Sequence, residues 1–86
     1  MSASDMRERL RQMWKQARLL REREEWRQAI EMYTRIVNLA PGFAPAYMER
    51  GLLIHEMGNP EKAMFDFERA IELNPEYGPG YYGRMG

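Results

Sequence analysis

Residues 44–77 read APAYMERGLLIHEMGNPEKAMFDFERAIELNPEY, and this stretch decides the fold because it repeats the 34 residues before it. Those preceding residues, 10–43, read LRQMWKQARLLREREEWRQAIEMYTRIVNLAPGF. Aligned at an offset of 34, the two units share six identical residues, most of them apolar, small or proline. A period of this length is typical of repeat proteins, in which each unit packs against its neighbours. The offset continues past residue 77, which predicts a partial third unit or capping segment over 78–86 within a single domain, 1–86.

Each unit is predicted to contain two helices. In the first unit, apolar residues recur at spacings of three and four, which predicts amphipathic helices over about 4–23 and 26–39. In the second unit Pro45 suits the first turn of a helix, and Gly58 is placed to end it. Asn59 can then cap a fourth helix. No strand pattern competes, so the sequence predicts an all-α fold.

The recurring residues resemble the signature of tetratricopeptide repeats: a large and a small residue on the first helix, then Ala, an aromatic residue, Ala and Pro. The second unit matches six of the eight signature places, with Tyr47, Gly51, Ala63, Phe67, Ala70 and Pro75. Its departures are Arg50, where leucine is usual, and Ile54, where tyrosine is usual. The first unit is looser and fills the places with Met13, Ala17, Leu20, Ala29, Tyr33, Ile36 and Pro41, with Gln16 as a departure.

This resemblance implies antiparallel helical hairpins stacked as a short right-handed superhelix with a concave groove. The small residues matter because two helix backbones can approach closely where side chains are almost absent, while an aromatic ring fills the space beside them. The residues expected to pack the repeats together are Ala17, Ala29, Tyr33, Pro41, Tyr47, Gly51, Ala63, Phe67, Ala70 and Pro75.

By the same resemblance, the first helix of each unit forms the inner wall of the groove. The residues at those places are Arg11, Trp14, Lys15 and Arg18 in the first unit and Met48, Glu49, Leu52 and His55 in the second. One wall is therefore basic with an indole, and the other is apolar with one carboxylate. This pattern favours a peptide that carries acidic residues and an apolar anchor. The alternative is a charged face that is only solvated, with Trp14 serving the core.

One subgroup of the family holds the terminal carboxylate of chaperone tails with a lysine, an asparagine, a second asparagine, a lysine and an arginine. The corresponding places here hold Trp14, Arg18, Glu49, Pro79 and Gly83. The carboxylate clamp is therefore absent from the sequence. Because Glu49 would repel an acidic tail, a chaperone-tail adaptor is disfavoured.

Composition excludes several other classes of protein. Thirteen basic and thirteen acidic side chains give no net charge, which disfavours nucleic acid and membrane surfaces as partners. There is no cysteine and only one histidine, His55, so the sequence predicts neither a metal site nor a cofactor. No potential nucleophile and general base are spaced in the sequence in a way that would indicate catalysis, so the chain is not expected to be an enzyme. Without a signal or membrane segment, the simplest location is cytoplasmic.

Two functions remain open from the sequence. The first is a protein interaction adaptor or scaffold that binds a peptide segment in the groove. The second is a self-associating module, a homodimer that pairs through uncovered repeat faces, since about three repeats are normally needed to cover all of them. Eight methionines and an outward Phe65 would supply adaptable contact surface for such a homodimer.

Overall fold

A computed structural model describes residues 2–76, and in that part of the chain it contains four helices and no strand. The helices are α1 (Ala3–Glu22), α2 (Trp26–Leu39), α3 (Ala44–Glu56) and α4 (Pro60–Leu73). The all-α prediction is confirmed. The predicted partial third unit, 78–86, lies outside the described residues.

The helix ends follow local sequence signals. The side chain of Ser2 accepts a hydrogen bond from the Asp5 N–H at 3.3 Å, which begins α1. At α4, Asn59 accepts from the Lys62 N–H at 3.3 Å. Between α3 and α4, Gly58 adopts a φ of 89°, the left-handed region that glycine tolerates best. These short-range interactions explain why the helix bounds could be predicted closely.

The helices pack as two hairpins, which contact each other through α2 and α3. Helix α1 packs against α2, α3 packs against α4, and α2 joins the hairpins by packing against α3. One buried cluster lies between α1, α2 and α3 and consists of Ala17, Ala29, Tyr33, Ile36, Val37, Ala46 and Leu53. The other lies between α3 and α4 and consists of Met48, Ile54, Ala63, Phe67 and Ala70.

Small residues allow α3 and α4 to approach each other. A Cβ atom at Gly51 would lie 2.7 Å from the Phe67 ring and 3.2 Å from the Ala63 carbonyl oxygen. Both distances are shorter than ordinary van der Waals contact, so the ring of Phe67 occupies the space that a side chain at position 51 would need.

The residues predicted to pack the repeats together divide into three groups by burial. Seven of them are buried: Ala17, Ala29, Tyr33, Gly51, Ala63, Phe67 and Ala70. Tyr47 is half-buried, and its hydroxyl donates to the Pro41 carbonyl at 3.0 Å. Pro41 and Pro75 are exposed just beyond α2 and α4. The prolines therefore act at helix ends, where a missing N–H costs little, rather than inside the core.

Candidate functional site

Three cations lie on one exposed face of α1. Arg11, Lys15 and Arg18 are spaced by four and three residues and are all exposed. Arg11 contacts Glu8 at 3.4 Å, a surface pair that solvent weakens. Lys15 makes no hydrogen bond or ion pair within residues 2–76. This face, which we call the basic face of α1, can therefore offer charged donors to a ligand.

Trp14 lies beside the basic face and is half-buried. Its indole meets Tyr33 edge to face with ring centroids 5.5 Å apart, and Phe43 with centroids 5.2 Å apart. The guanidinium of Arg18 lies 6.0 Å from the centre of the same indole. Trp14 thus contributes to packing and also leaves part of its ring accessible.

Phe43 was missed by the sequence reasoning. It precedes α3, is exposed, and forms the second aromatic surface next to Trp14. The sequence could have indicated Phe43, because each 34-residue unit ends in an aromatic residue. These residues are Phe43 in the first unit and Tyr77 in the second.

The carboxylate of Glu49 accepts hydrogen bonds from two other side chains of the protein. Arg21 Nη1 and the Tyr33 hydroxyl both donate to Glu49 Oε1, the latter at 3.4 Å. Burial, and then the negative charge of Glu49, raise the pKa of Tyr33 to about 12. Arg21 was not predicted at this place. Since Arg21 neutralises Glu49, the repulsion of acidic ligands expected from Glu49 is weaker than its charge alone implies.

The three other residues predicted for the second wall occupy different environments. Met48 is only 3% exposed and packs in the cluster with Phe67, so it does not lie on an open wall. The reason is that α3 packs against both α2 and α4, which covers most of its circumference. Leu52 is half-buried and borders a cavity of about 380 Å³ with Trp26, and His55 is exposed.

Arg50, which stands where leucine is usual, is partly buried and forms an ion pair with a buried carboxylate. Its Nε and Nη2 donate to the two carboxylate oxygens of Asp66 at 2.8 and 2.7 Å. Its Nη1 donates to the Thr34 hydroxyl at 3.2 Å. The hydrogen bond with Asp66 is the main reason that the pKa of Arg50 is raised above its ordinary value. The departure at Arg50 is visible in the sequence, whereas its partner Asp66 lies 16 residues further along the chain and was not predicted.

The described residues contain no group of three metal-ligating side chains that could hold an ion. Over the same residues, 2–76, no helix has the length and apolar character needed to cross a bilayer.

Comparisons with known proteins agree with this architecture. The family model of the tetratricopeptide repeat matches residues 16–79. One curated relative, a UDP-N-acetylglucosamine–peptide N-acetylglucosaminyltransferase of Giardia intestinalis, is 38% identical over 58 residues. That alignment covers 67% of this chain and 4% of the relative, so the chain spans a small part of that protein's length. The family model covers most of the sequence, and the structure has the paired helical hairpins that such repeats form. The chain therefore belongs to the tetratricopeptide repeat family.

Proposed function

We propose that this chain is a non-catalytic interaction adaptor that binds an acidic peptide segment along the basic face of α1. The observation that carries the proposal is the row of Arg11, Lys15 and Arg18, three exposed cations whose only ion pair among residues 2–76 is the surface pair of Arg11 with Glu8. Membership in a repeat family that generally mediates protein contacts supports the same function.

The chemistry of the face suits carboxylates. Arginine presents a planar fork that can bind a carboxylate through two hydrogen bonds, and lysine adds a point charge. The exposed parts of Trp14 and Phe43 lie beside these donors and offer a flat contact for an apolar anchor residue of the peptide. Because Arg21 pairs with Glu49, that carboxylate repels an acidic ligand less than an unpaired one would.

The predicted second wall needs revision within this proposal. Leu52 and His55 remain candidates for contact with the ligand, whereas Met48 supports the helix pair α3–α4. The transferase activity named in the Giardia relative belongs to a protein of which this chain spans 4%, and we propose no catalysis for these residues.

The test is a matched pair of charge reversals. One variant carries Arg11→Glu, Lys15→Glu and Arg18→Glu, and the control carries Arg9→Glu, Arg27→Glu and Arg35→Glu, which are also exposed and change the net charge equally. The ligand is a synthetic peptide of Asp and Glu around a central Leu, and calorimetric titration gives its Kd.

We expect the first variant to lose affinity at least about tenfold, because hydrogen bonds to charged groups contribute about 1.5–3 kcal/mol each and tenfold corresponds to about 1.4 kcal/mol. The control should change affinity less than about threefold, through the general field alone. Equal losses in both variants would contradict the assignment of the face.

A further inference from the structure

A second surface lies between α2 and α4 and shares no residue with the basic face of α1. It is a groove of about 660 Å³ over α3, with Ile30 and Thr34 on one side and Phe65 at the rim of the other. Phe65 is 75% exposed, the largest exposed fraction among the large apolar residues described. It points away from the cluster that contains Phe67 because the two positions lie on opposite faces of α4.

The floor of this groove combines an apolar side chain with an ion pair and carries no net charge. Ile54 lies beside Arg50 and Asp66, whose ion pair neutralises both charges. The groove is therefore suited to an apolar side chain rather than to a free ion, since entry of an apolar group leaves the hydrogen bonds of the ion pair intact.

The charged rim next to Phe65 has both signs. Glu61 and Lys62 line the same groove, are exposed, and have no ion-pair partner among residues 2–76. They lie four and three residues before Phe65, so each of them is a neighbour of Phe65 on the helix surface.

We propose that this groove is a dimer interface that binds a second copy of the chain. In a two-fold symmetric contact the same patch must serve both protomers, so it needs a projecting group, a recess that receives it, and paired opposite charges. Phe65, the groove beside it and the Glu61–Lys62 rim meet those three requirements within one patch. The Phe65 ring of each protomer enters the groove of the other, and Glu61 of each faces the partner's Lys62.

The dimer joins two basic faces in one particle. Because the interface involves α2 and α4, both α1 helices stay open to peptides, and a ligand with two acidic segments gains avidity from the second site. The contact depends on one aromatic residue per protomer, so the interface is small and its affinity is modest. We expect a Kd in the micromolar range.

The first measurement is sedimentation equilibrium at loading concentrations from about 1 µM to about 1 mM, a range that covers weak dimers. The mass of the chain should rise from 10.3 kDa toward twice that value. The Phe65→Ala variant should keep a mass of 10.3 kDa at all of these concentrations. The control is Leu19→Ala, which removes an exposed apolar side chain from α1 instead of α4 and should dimerise as the native chain does.

The decisive experiment uses Glu61→Lys and Lys62→Glu as separate variants. Each variant alone brings like charges together across the two-fold axis and should weaken the dimer at least about tenfold. An equimolar mixture should form a heterodimer, because lysines of one variant then face glutamates of the other. Circular dichroism of each variant verifies that its helices are retained.

A native chain that remains at 10.3 kDa up to about 1 mM would overturn the proposal. So would a dimer that survives Phe65→Ala, or two charge variants that fail to associate when mixed. A dimer that depends on Arg11, Lys15 and Arg18 would instead place the contact on the basic face.

Discussion

Arg50 shows how one departure from a repeat signature changes the chemistry of a core. Leucine at this position would need no partner, whereas a partly buried guanidinium beside the buried Asp66 must be paired and hydrogen-bonded. Asp66 and Thr34 meet that need, and they link α3 to α4 and to α2. The pair therefore holds three helices in one arrangement.

Substitution of Arg50 by leucine should destabilise the protein although it restores the usual residue. Asp66, whose side chain is 3% exposed, would be left as an uncompensated buried charge, at a cost of about 3 kcal/mol. The double variant Arg50→Leu with Asp66→Ala should recover to within about 1 kcal/mol of the native chain. Urea denaturation measures both values. Glu72→Ala, which breaks the exposed pair with Arg69, serves as the control and should change stability by less than about 0.5 kcal/mol.

Tyr33 should make the protein sensitive to alkali. Its pKa is raised from 10.0 to about 12 in the folded chain, so folding favours the protonated phenol. The stability that this preference contributes is complete below pH 10 and is lost as the pH rises toward 12, a total of up to ~3 kcal/mol. Tyr33→Phe should therefore show a flatter dependence of the unfolding free energy on pH across that window. Identical slopes for the two proteins would show that Tyr33 does not carry the effect.

At the scale of elements, the α3–α4 hairpin depends on the absence of a side chain at Gly51. The close approach of the helices places Phe67 where a Cβ atom would stand. A glycine inside a helix is normally a disadvantage of up to ~1 kcal/mol relative to alanine. Its presence here is explained by packing between elements rather than by the preference of α3 itself.

Gly51→Ala should lower stability by about 1–2 kcal/mol. Overpacking costs about 1–3 kcal/mol, and the gain in helix propensity offsets part of that cost. Thermal unfolding followed by circular dichroism measures the net effect. Gly42→Ala is the matched control, since nothing lies within 4 Å of a Cβ atom there. A Gly51→Ala protein more stable than the native chain would mean that α3 and α4 separate without cost.

At the scale of the whole molecule, α2 and α3 couple the two hairpins. Beyond their shared core, the hydrogen bonds of Glu49 with Arg21 and of Arg50 with Thr34 cross between the hairpins. Neighbouring units of a repeat protein unfold together when the interface between them is strong. We therefore expect the described helices to unfold as one unit.

Phe67→Leu tests this coupling because the substitution lies in the second hairpin and both tryptophans, Trp14 and Trp26, lie in the first. A cost of about 1 kcal/mol should shift the denaturation midpoint of tryptophan fluorescence and that of circular dichroism equally. If the midpoint of circular dichroism shifted while that of tryptophan fluorescence did not, the two hairpins would unfold independently.

Local patterns in the sequence predict the helices, their bounds and the small residues at the helix contacts. The 34-residue repeat, the cap at Asn59 and the turn at Gly58 act over a few residues or recur at a fixed period, so they can be read without a structure. The basic face of α1 could also be predicted, because the spacing of its cations along one helix defines the face.

Which of the neighbouring side chains are open and which are paired depends on how the helices pack. The burial of Met48 and the pairs Arg21–Glu49 and Arg50–Asp66 depend on the rotation and separation of whole helices. The partners of these two ion pairs are 28 and 16 residues apart in the chain, so no local pattern connects them. Helical periodicity gives the face of one helix, but a charge is neutralised only when packing brings a second helix against it.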